Sequence, residues 1–188
     1  MNALVQSGPS AAPAAIMALP PAEPAQYLTF MLAGDVFAIG ILAIKEIIEY
    51  QGLTEVPLMP RCVRGVINLR GAVVPVVDLL ARFRRPRSPI TKRSCIVIVE
   101  VQADDQRQVV GVMVDAVNEV LDIAEAEIEP PPAFGTHIRS DFIQGMGKVR
   151  GKFVILLNVE KTVSLDAMGE LGDDAPMAAE AGLEEAAA

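Results

Sequence analysis

The side chains able to do chemistry are few. One histidine, His137, stands beside Gly135 and Thr136, with Asp141 four residues on. An imidazole near a carboxylate is the least that general acid–base work requires. A single histidine provides neither a two-His metal site nor an HExxH helix. Cys62 and Cys95 are far apart, have no CxxC spacing and lack a nucleophile signature, and no GxSxG elbow occurs. They read as buried free thiols of a chain kept in a reducing cytoplasm. The run Gly145-Met146-Gly147-Lys148-Val149-Arg150-Gly151-Lys152 has the composition of a phosphate loop. Its spacing matches neither GxGxxG nor GxxxxGK[ST], and Phe153 takes the place of the magnesium-binding Ser or Thr. A strand pattern follows it, so no helix N-terminus waits for phosphate. Asp78 and Asp115 could pair as acid and base, but Asp78 sits where a helix cap belongs and Asp115 ends a strand. The inventory supplies no catalytic set, and no cofactor or metal is expected.

What remains are residues suited to recognition, and they come in matched pairs. Val63-Arg64-Gly65-Val66-Ile67-Asn68-Leu69-Arg70-Gly71-Ala72-Val73-Val74-Pro75-Val76-Val77-Asp78 lies over residues 143–158 without a gap, at an offset of 80. Gly65, Arg70, Gly71 and Val74 recur as Gly145, Arg150, Gly151 and Val154. Each copy reads as strand, tight Arg-Gly turn, strand and Asx helix cap. At an offset of 73, residues 36–50 lie over 109–123, which places Glu46 over Glu119. The change of offset requires seven extra residues in the second half, fitting the loop around Gly135 to Asp141. A repeat found early constrains the whole fold. Two readings stay open for each pair. Glu46 and Glu119 are either the polar face of a half-exposed strand or binding residues, and Arg70 and Arg150 are either solvated turn residues or recognition residues.

Positioning these residues falls to a β-rich chain. Of 188 residues, 52% are hydrophobic and 4% aromatic, and Trp is absent, a composition of aliphatic β cores. No apolar run approaches the roughly 20 residues that span a bilayer. Pro9, Pro13, Pro20, Pro21 and Pro24, with no basic n-region, argue against a signal peptide. The net charge of −8 is confined to the ends: all 16 Lys and Arg lie between Lys45 and Lys161, balanced by 16 Asp and Glu from Asp35 to Glu160. A neutral core gives no basic footprint for nucleic acid.

In chain order, residues 1–26 form an Ala/Pro-rich disordered tail. Strands are expected at Tyr27–Leu32 and Val36–Ile41. Residues 42–49 fit either a two-turn helix or a strand after a local helical turn, and the β-branched second copy favours strand. Pro60 suits a short turn of helix through Val63, then come the hairpin and a helix from Leu79 to Phe83. This first half is 27–83. Residues 84–93, with Arg84-Arg85-Pro86-Arg87-Ser88-Pro89, read as a solvated basic linker. The second half, 94–165, has strands at 95–101, 108–114, 117–123, 142–149 and 152–157, then a helix from Asn158 through Val163 continuing towards Leu171. Residues 166–188 are an acidic Ala/Glu-rich tail. Two halves of about five strands should pack through an apolar seam, and a groove there would suit a partner.

Gly65-Val66-Ile67-Asn68-Leu69-Arg70-Gly71, with Val73-Val74-Pro75-Val76-Val77-Asp78-Leu79, Ile44-Lys45-Glu46-Ile47 and Asn158-Val159-Glu160-Lys161, resembles the chemotaxis coupling protein (CheW) family over residues 27–165. The resemblance implies an all-β fold of two pseudo-symmetric, intertwined five-stranded SH3-like barrels with short helices. It also implies a non-enzymatic cytoplasmic adaptor at receptor arrays on the inner face of the membrane. Its partners would be the signalling tip of a chemoreceptor (methyl-accepting chemotaxis protein) and the regulatory domain of the histidine kinase CheA, with no nucleic acid and no membrane insertion. Carried over, the receptor groove falls at Ile44, Glu46, Ile47, Cys95 and Ile96, and Arg70 helps hold receptor and kinase together, with Arg150 its structural echo. The same fold would serve a pilus-motility or other chemosensory pathway. The rival from another class is a small-molecule enzyme using His137 and Asp141.

Overall fold

The computed structural model describes residues 23–103, 106–131 and 138–164. Strands β1 (Ala25–Leu32) and β2 (Asp35–Gly40) form an antiparallel hairpin. One 3-10 turn at Ile41–Ala43 leads into β3 (Ile44–Glu49), so segment 42–49 is a strand preceded by a local turn. Its β-branched isoleucines suit an extended backbone. Pro60 begins a simple hydrogen-bonded turn, with Val63 N–H donating to its carbonyl at 2.8 Å, and not the helical turn expected there. Then follow β4 (Val63–Leu69), β5 (Ala72–Asp78) and helix α1 (Leu79–Arg82). The later strands are β6 (Cys95–Ala103), β7 (Gln106–Val114), β8 (Ala116–Ile123), β9 (Ile128–Glu129), β10 (Ile143–Val149) and β11 (Lys152–Leu157), closed by α2 (Val159–Val163). The continuation towards Leu171 lies outside the described residues.

The strands make two sheets, ordered β8-β1-β2-β11-β10-β9 and β3-β6-β7-β5-β4. They correspond strand for strand, and the place of β9 is taken in the second by a bridge from Thr54 to Val66. Neighbours are antiparallel except at one junction in each sheet, β2 with β11 and β5 with β7. The sheets do not follow the sequence halves. Each takes its first hairpin from one half and its other strands from the other half, so β1 and β2 lie with β8, β10 and β11. The chain is mainly β and intertwined, as the resemblance implied.

Each sheet has its own small core: Tyr27, Ala38, Ile123, Val154 and Leu156 in one, Val74, Val76, Ile96, Ile98 and Met113 in the other. A larger shared core includes a ladder of four phenylalanines, Phe30, Phe37, Phe83 and Phe142, with successive centroids 6.3, 6.0 and 6.0 Å apart. Burying each ring contributes about 1.5–3 kcal/mol. Arg82 is buried at this seam, its Nε donating to the Thr162 carbonyl at 3.2 Å and its guanidinium 4.8 Å from the Phe142 ring centre. Burial lowers the Arg82 pKa and raises that of the nearby Cys62 thiol. So α1 and α2 are fastened across the pseudo-twofold.

The basic stretch 84–89 is exposed at Arg84, Pro86, Arg87 and Pro89, as a solvated linker would be, and it is also tied down at three points. Arg85 pairs with Asp35 at 3.1 Å, Arg87 donates to the Arg61 carbonyl at 2.6 Å, and Ser88 Oγ donates to Asp115 at 2.9 Å. The cause is local: the linker passes beside these acceptors and carries the donors that meet them.

Candidate functional site

The first hairpin turns through Arg70 and Gly71, both at positive φ (52° and 90°). This mirror-image turn matches the right-handed twist of its strands. A non-glycine residue there costs roughly 1 kcal/mol. Asn68 offsets part of that cost, since its Oδ1 accepts the Gly71 N–H at 2.8 Å. The turn carries Arg70 over β3, where its Nη2 donates to Glu46 Oε2 at 2.9 Å. The guanidinium is 80% exposed, which leaves most of its donors facing outward.

Glu46 sits on an edge strand, because among the described residues β6 is the only strand that pairs with β3. A bulge between Ile44 and Glu46 breaks the ladder and turns Lys45 to the Glu100 carboxylate. Bulges at sheet edges re-aim side chains in this way. Hydrogen bonding from Lys45 depresses the Glu100 pKa. Ile44 is half-buried against the shared core, whereas Ile47 is exposed. Glu46 and Arg70 therefore form a charged pair on one face of β3, and Ile47, the next residue, is exposed on the other face.

Cys95 and Ile96 reach that surface only from below. They lie on β6, opposite Glu49 and Ile48. Ile96 is 1% exposed within a sheet core, and Cys95 is half-buried with its Sγ donating to the Arg93 carbonyl at 3.3 Å. Cys95 is thus less enclosed than its sequence suggested, and Ile96 supports β3 without facing outward. Sequence reasoning passed over Val73, which is 73% exposed on the same hairpin. Its signal was the alternation itself, which places Val74 inward and Val73 outward.

The second copy repeats the arrangement more loosely. Arg150 and Gly151 also take positive φ, and Arg150 Nη1 stands 3.7 Å from Glu119 Oε1. Val120 and Phe153 are the exposed apolar neighbours, and Lys148 replaces Asn68.

The acid–base candidates have structural work. Asp78 Oδ1 accepts the Ala81 N–H that starts α1, and its Oδ2 pairs with Arg64 at 3.2 Å. Asp115 Oδ2 accepts the Ala33 N–H at 2.7 Å and the Ser88 hydroxyl. Both line a small cavity with Arg64, Ser88 and Ser94, of about 10 Å³, room for one water at most. Asp141 pairs with Arg139 at 2.9 Å, and His137 lies outside the described residues. Among the described residues no cluster of three or more His, Cys, Asp or Glu is placed to hold a metal, and no helix is long and apolar enough to cross a membrane.

Two intertwined barrels with a duplicated Arg–Glu tip match a known design. The model of the CheW-like domain matches residues 26–167. The chain belongs to the CheW-like family. It is 32% identical to the chemotaxis protein CheW of Rhizobium meliloti, over 72% of this chain and 84% of that one. It is 29% identical to the chemotaxis protein CheW of Klebsiella aerogenes, over 76% and 84%. The scaffolding protein CheW of Thermoanaerobacter tengcongensis superposes with a TM-score of 0.67 at 35% identity, covering 74% of this CheW-like chain and 87% of that chain. The resemblance read from Asn68-Leu69-Arg70-Gly71 and its flanks is borne out, as is the all-β, SH3-like class.

Proposed function

We propose that this chain is a non-enzymatic chemotaxis scaffold that joins a chemoreceptor signalling tip to the regulatory domain of the kinase CheA, in the cytoplasm at receptor arrays. The observation that carries this reading is the Arg70–Glu46 pair, held over the edge strand β3, which also exposes Ile47 on its other face. Membership of a family whose relatives are named chemotaxis and scaffolding proteins supports it. In this reading a helical receptor tip lies along the edge of β3, meeting apolar Ile44 and Ile47 on one side and the charge of Glu46 on the other. Cys95 and Ile96 fix the height of β3 from behind. Arg70 holds its turn with one donor pair and offers its remaining N–H groups to a partner carboxylate. Several modest contacts at once give assembly its strength through effective concentration.

Co-sedimentation of a receptor signalling domain with the kinase, with and without this protein, tests the proposal. Kinase should enter the pellet only when the scaffold is present, and recruitment independent of it would sink the coupling role. His137→Ala should leave recruitment unchanged, whereas an enzyme using His137 and Asp141 would lose turnover.

A further inference from the structure

The bulge in β3 brings a competing cation beside the Arg70–Glu46 pair. In a regular strand Lys45 would point away from Glu46, because successive side chains take opposite faces. Here Lys45 is the extra residue between the Ile44–Val99 and Glu46–Ile98 pairings, and its ammonium reaches the Glu100 carboxylate. Glu100 lies two residues beyond Ile98, so it shares a face of β6 with the residue opposite Glu46. Lys45 and Glu46, adjacent in sequence, therefore project their charges to the same side. A lysine on a flexible stem beside a carboxylate competes for it with any other exposed cation.

Glu100 removes that competitor. Its Oε2 accepts the Lys45 ammonium, while its Oε1 faces Arg107 Nη1 at 3.4 Å, so the carboxylate is held from two sides. With Lys45 engaged, Glu46 Oε2 accepts Arg70 Nη2 at 2.9 Å. The second tip has no lysine to divert, since Asn118 stands in the place of Lys45. There the backbone of Glu119 is secured instead: the Thr29 hydroxyl donates to its carbonyl at 2.7 Å and accepts its N–H at 3.2 Å. The two bulges thus hold their acids by different means, and only the first does so through a third charged side chain.

We propose that Glu100 is a positioning residue for the Arg70–Glu46 pair: it holds the Lys45 ammonium off Glu46, so that the Glu46 carboxylate is left to orient Arg70. Glu100 acts through its neighbours and needs no contact with a partner. The consequence for assembly rests on the reading of Arg70 as a partner contact, whereas the pairing itself rests on the geometry of β3 and β6 alone.

Two measurements on the intact chain keep the pairing and the coupling role apart. Nitrogen-15 relaxation of Arg70 Nε reads the pairing with no partner present. Arg70 should become more mobile in Glu100→Gln, where Lys45 is released onto Glu46. It should return to wild-type rigidity in the double variant Lys45→Met, Glu100→Gln, where no competitor remains, and Lys45→Met alone should match wild type. In titrations of receptor signalling domain and kinase, Glu100→Gln should weaken assembly about threefold, the scale of one exposed ion pair, and the double variant should recover it. Loss of packing alone gives the reverse order, with the double variant the worst. An Arg70 as rigid in Glu100→Gln as in wild type overturns the proposal, as does a double variant no better than the single. If wild type recruits no kinase, the coupling reading falls by itself, and the relaxation series still decides the role of Glu100.

Discussion

At the tip of β4 and β5, Arg70 lies 2.9 Å from a Glu46 carboxylate that is only partly exposed, and Asn68 ties down the turn. At the tip of β10 and β11, Arg150 stands 3.7 Å from a more exposed Glu119, and Lys148 takes the place of the tie. Backbone conformation is the same at both, with positive φ at Arg and Gly alike. The comparison separates what a duplicated hairpin must keep from what it is free to change. Turn geometry follows from strand twist and cannot drift, whereas the charge around the turn is set by single side chains and can. A less screened carboxylate also makes the stronger pair, so the first tip is the better defined surface.

The largest difference should appear where each hairpin is crossed by another segment. A Cβ on Gly65 would lie 2.6 Å from the Thr54 backbone oxygen, whereas one on Gly145 would first meet the Ile128 side chain at 2.5 Å and then Glu129 O at 3.0 Å. A side-chain methyl can yield and a bridged backbone cannot. Gly65→Ala should cost about 3 kcal/mol in denaturant unfolding and Gly145→Ala roughly 1–2 kcal/mol, and equal losses would erase the distinction. Next come the caps. Asp78→Ala removes a cap and the partner of Arg64, and should cost about 2–3 kcal/mol, whereas Asn158→Ala removes a neutral cap worth about 1 kcal/mol. Thermal melts of the two variants check this order.

At the tips themselves, Arg70→Ala should weaken receptor–kinase–scaffold assembly about tenfold, close to 1.4 kcal/mol, while changing stability by less than about 1 kcal/mol. Arg150→Ala should leave assembly at the wild-type level, and a matching loss would make the tips functionally equal. The smallest effect concerns Lys45, which has Asn118 as its counterpart in β8. Its hydrogen bond depresses the Glu100 pKa, so the stabilisation is present above the unfolded carboxylate value of about 4.3 and is lost as pH falls through the folded value. Wild type and Glu100→Gln should therefore differ slightly in melting temperature at pH 7 and converge as the pH falls through the folded value. A gap that persists in acid would assign the difference to packing.

Much of the site was legible because it rests on local signals. Arg70-Gly71 announces the turn, Asp78 and Asn158 announce the caps, and the repeat offsets pair Glu46 with Glu119. Contacts between distant segments were not legible. Nothing in the 23 residues between Glu46 and Arg70 says that their charges meet, and nothing in Arg84–Pro89 says that its donors find Asp35, Arg61 and Asp115. Ile96 reads as one more residue of an apolar run, and only the sheet shows it facing inward.

By itself the sequence determined the duplication, the strands apart from the two-residue β9, the hairpin turns and the family, since each depends on neighbours or on a period along the chain. Only the tertiary structure decided which half each hairpin joins. Two copies of one pattern offer the same apolar alternation and the same hydrogen-bonding edges, so pairing within a half and pairing across halves look alike in sequence. The choice is made where β2 meets β11 and β5 meets β7, because those parallel junctions let four phenylalanines from both halves stack into one core.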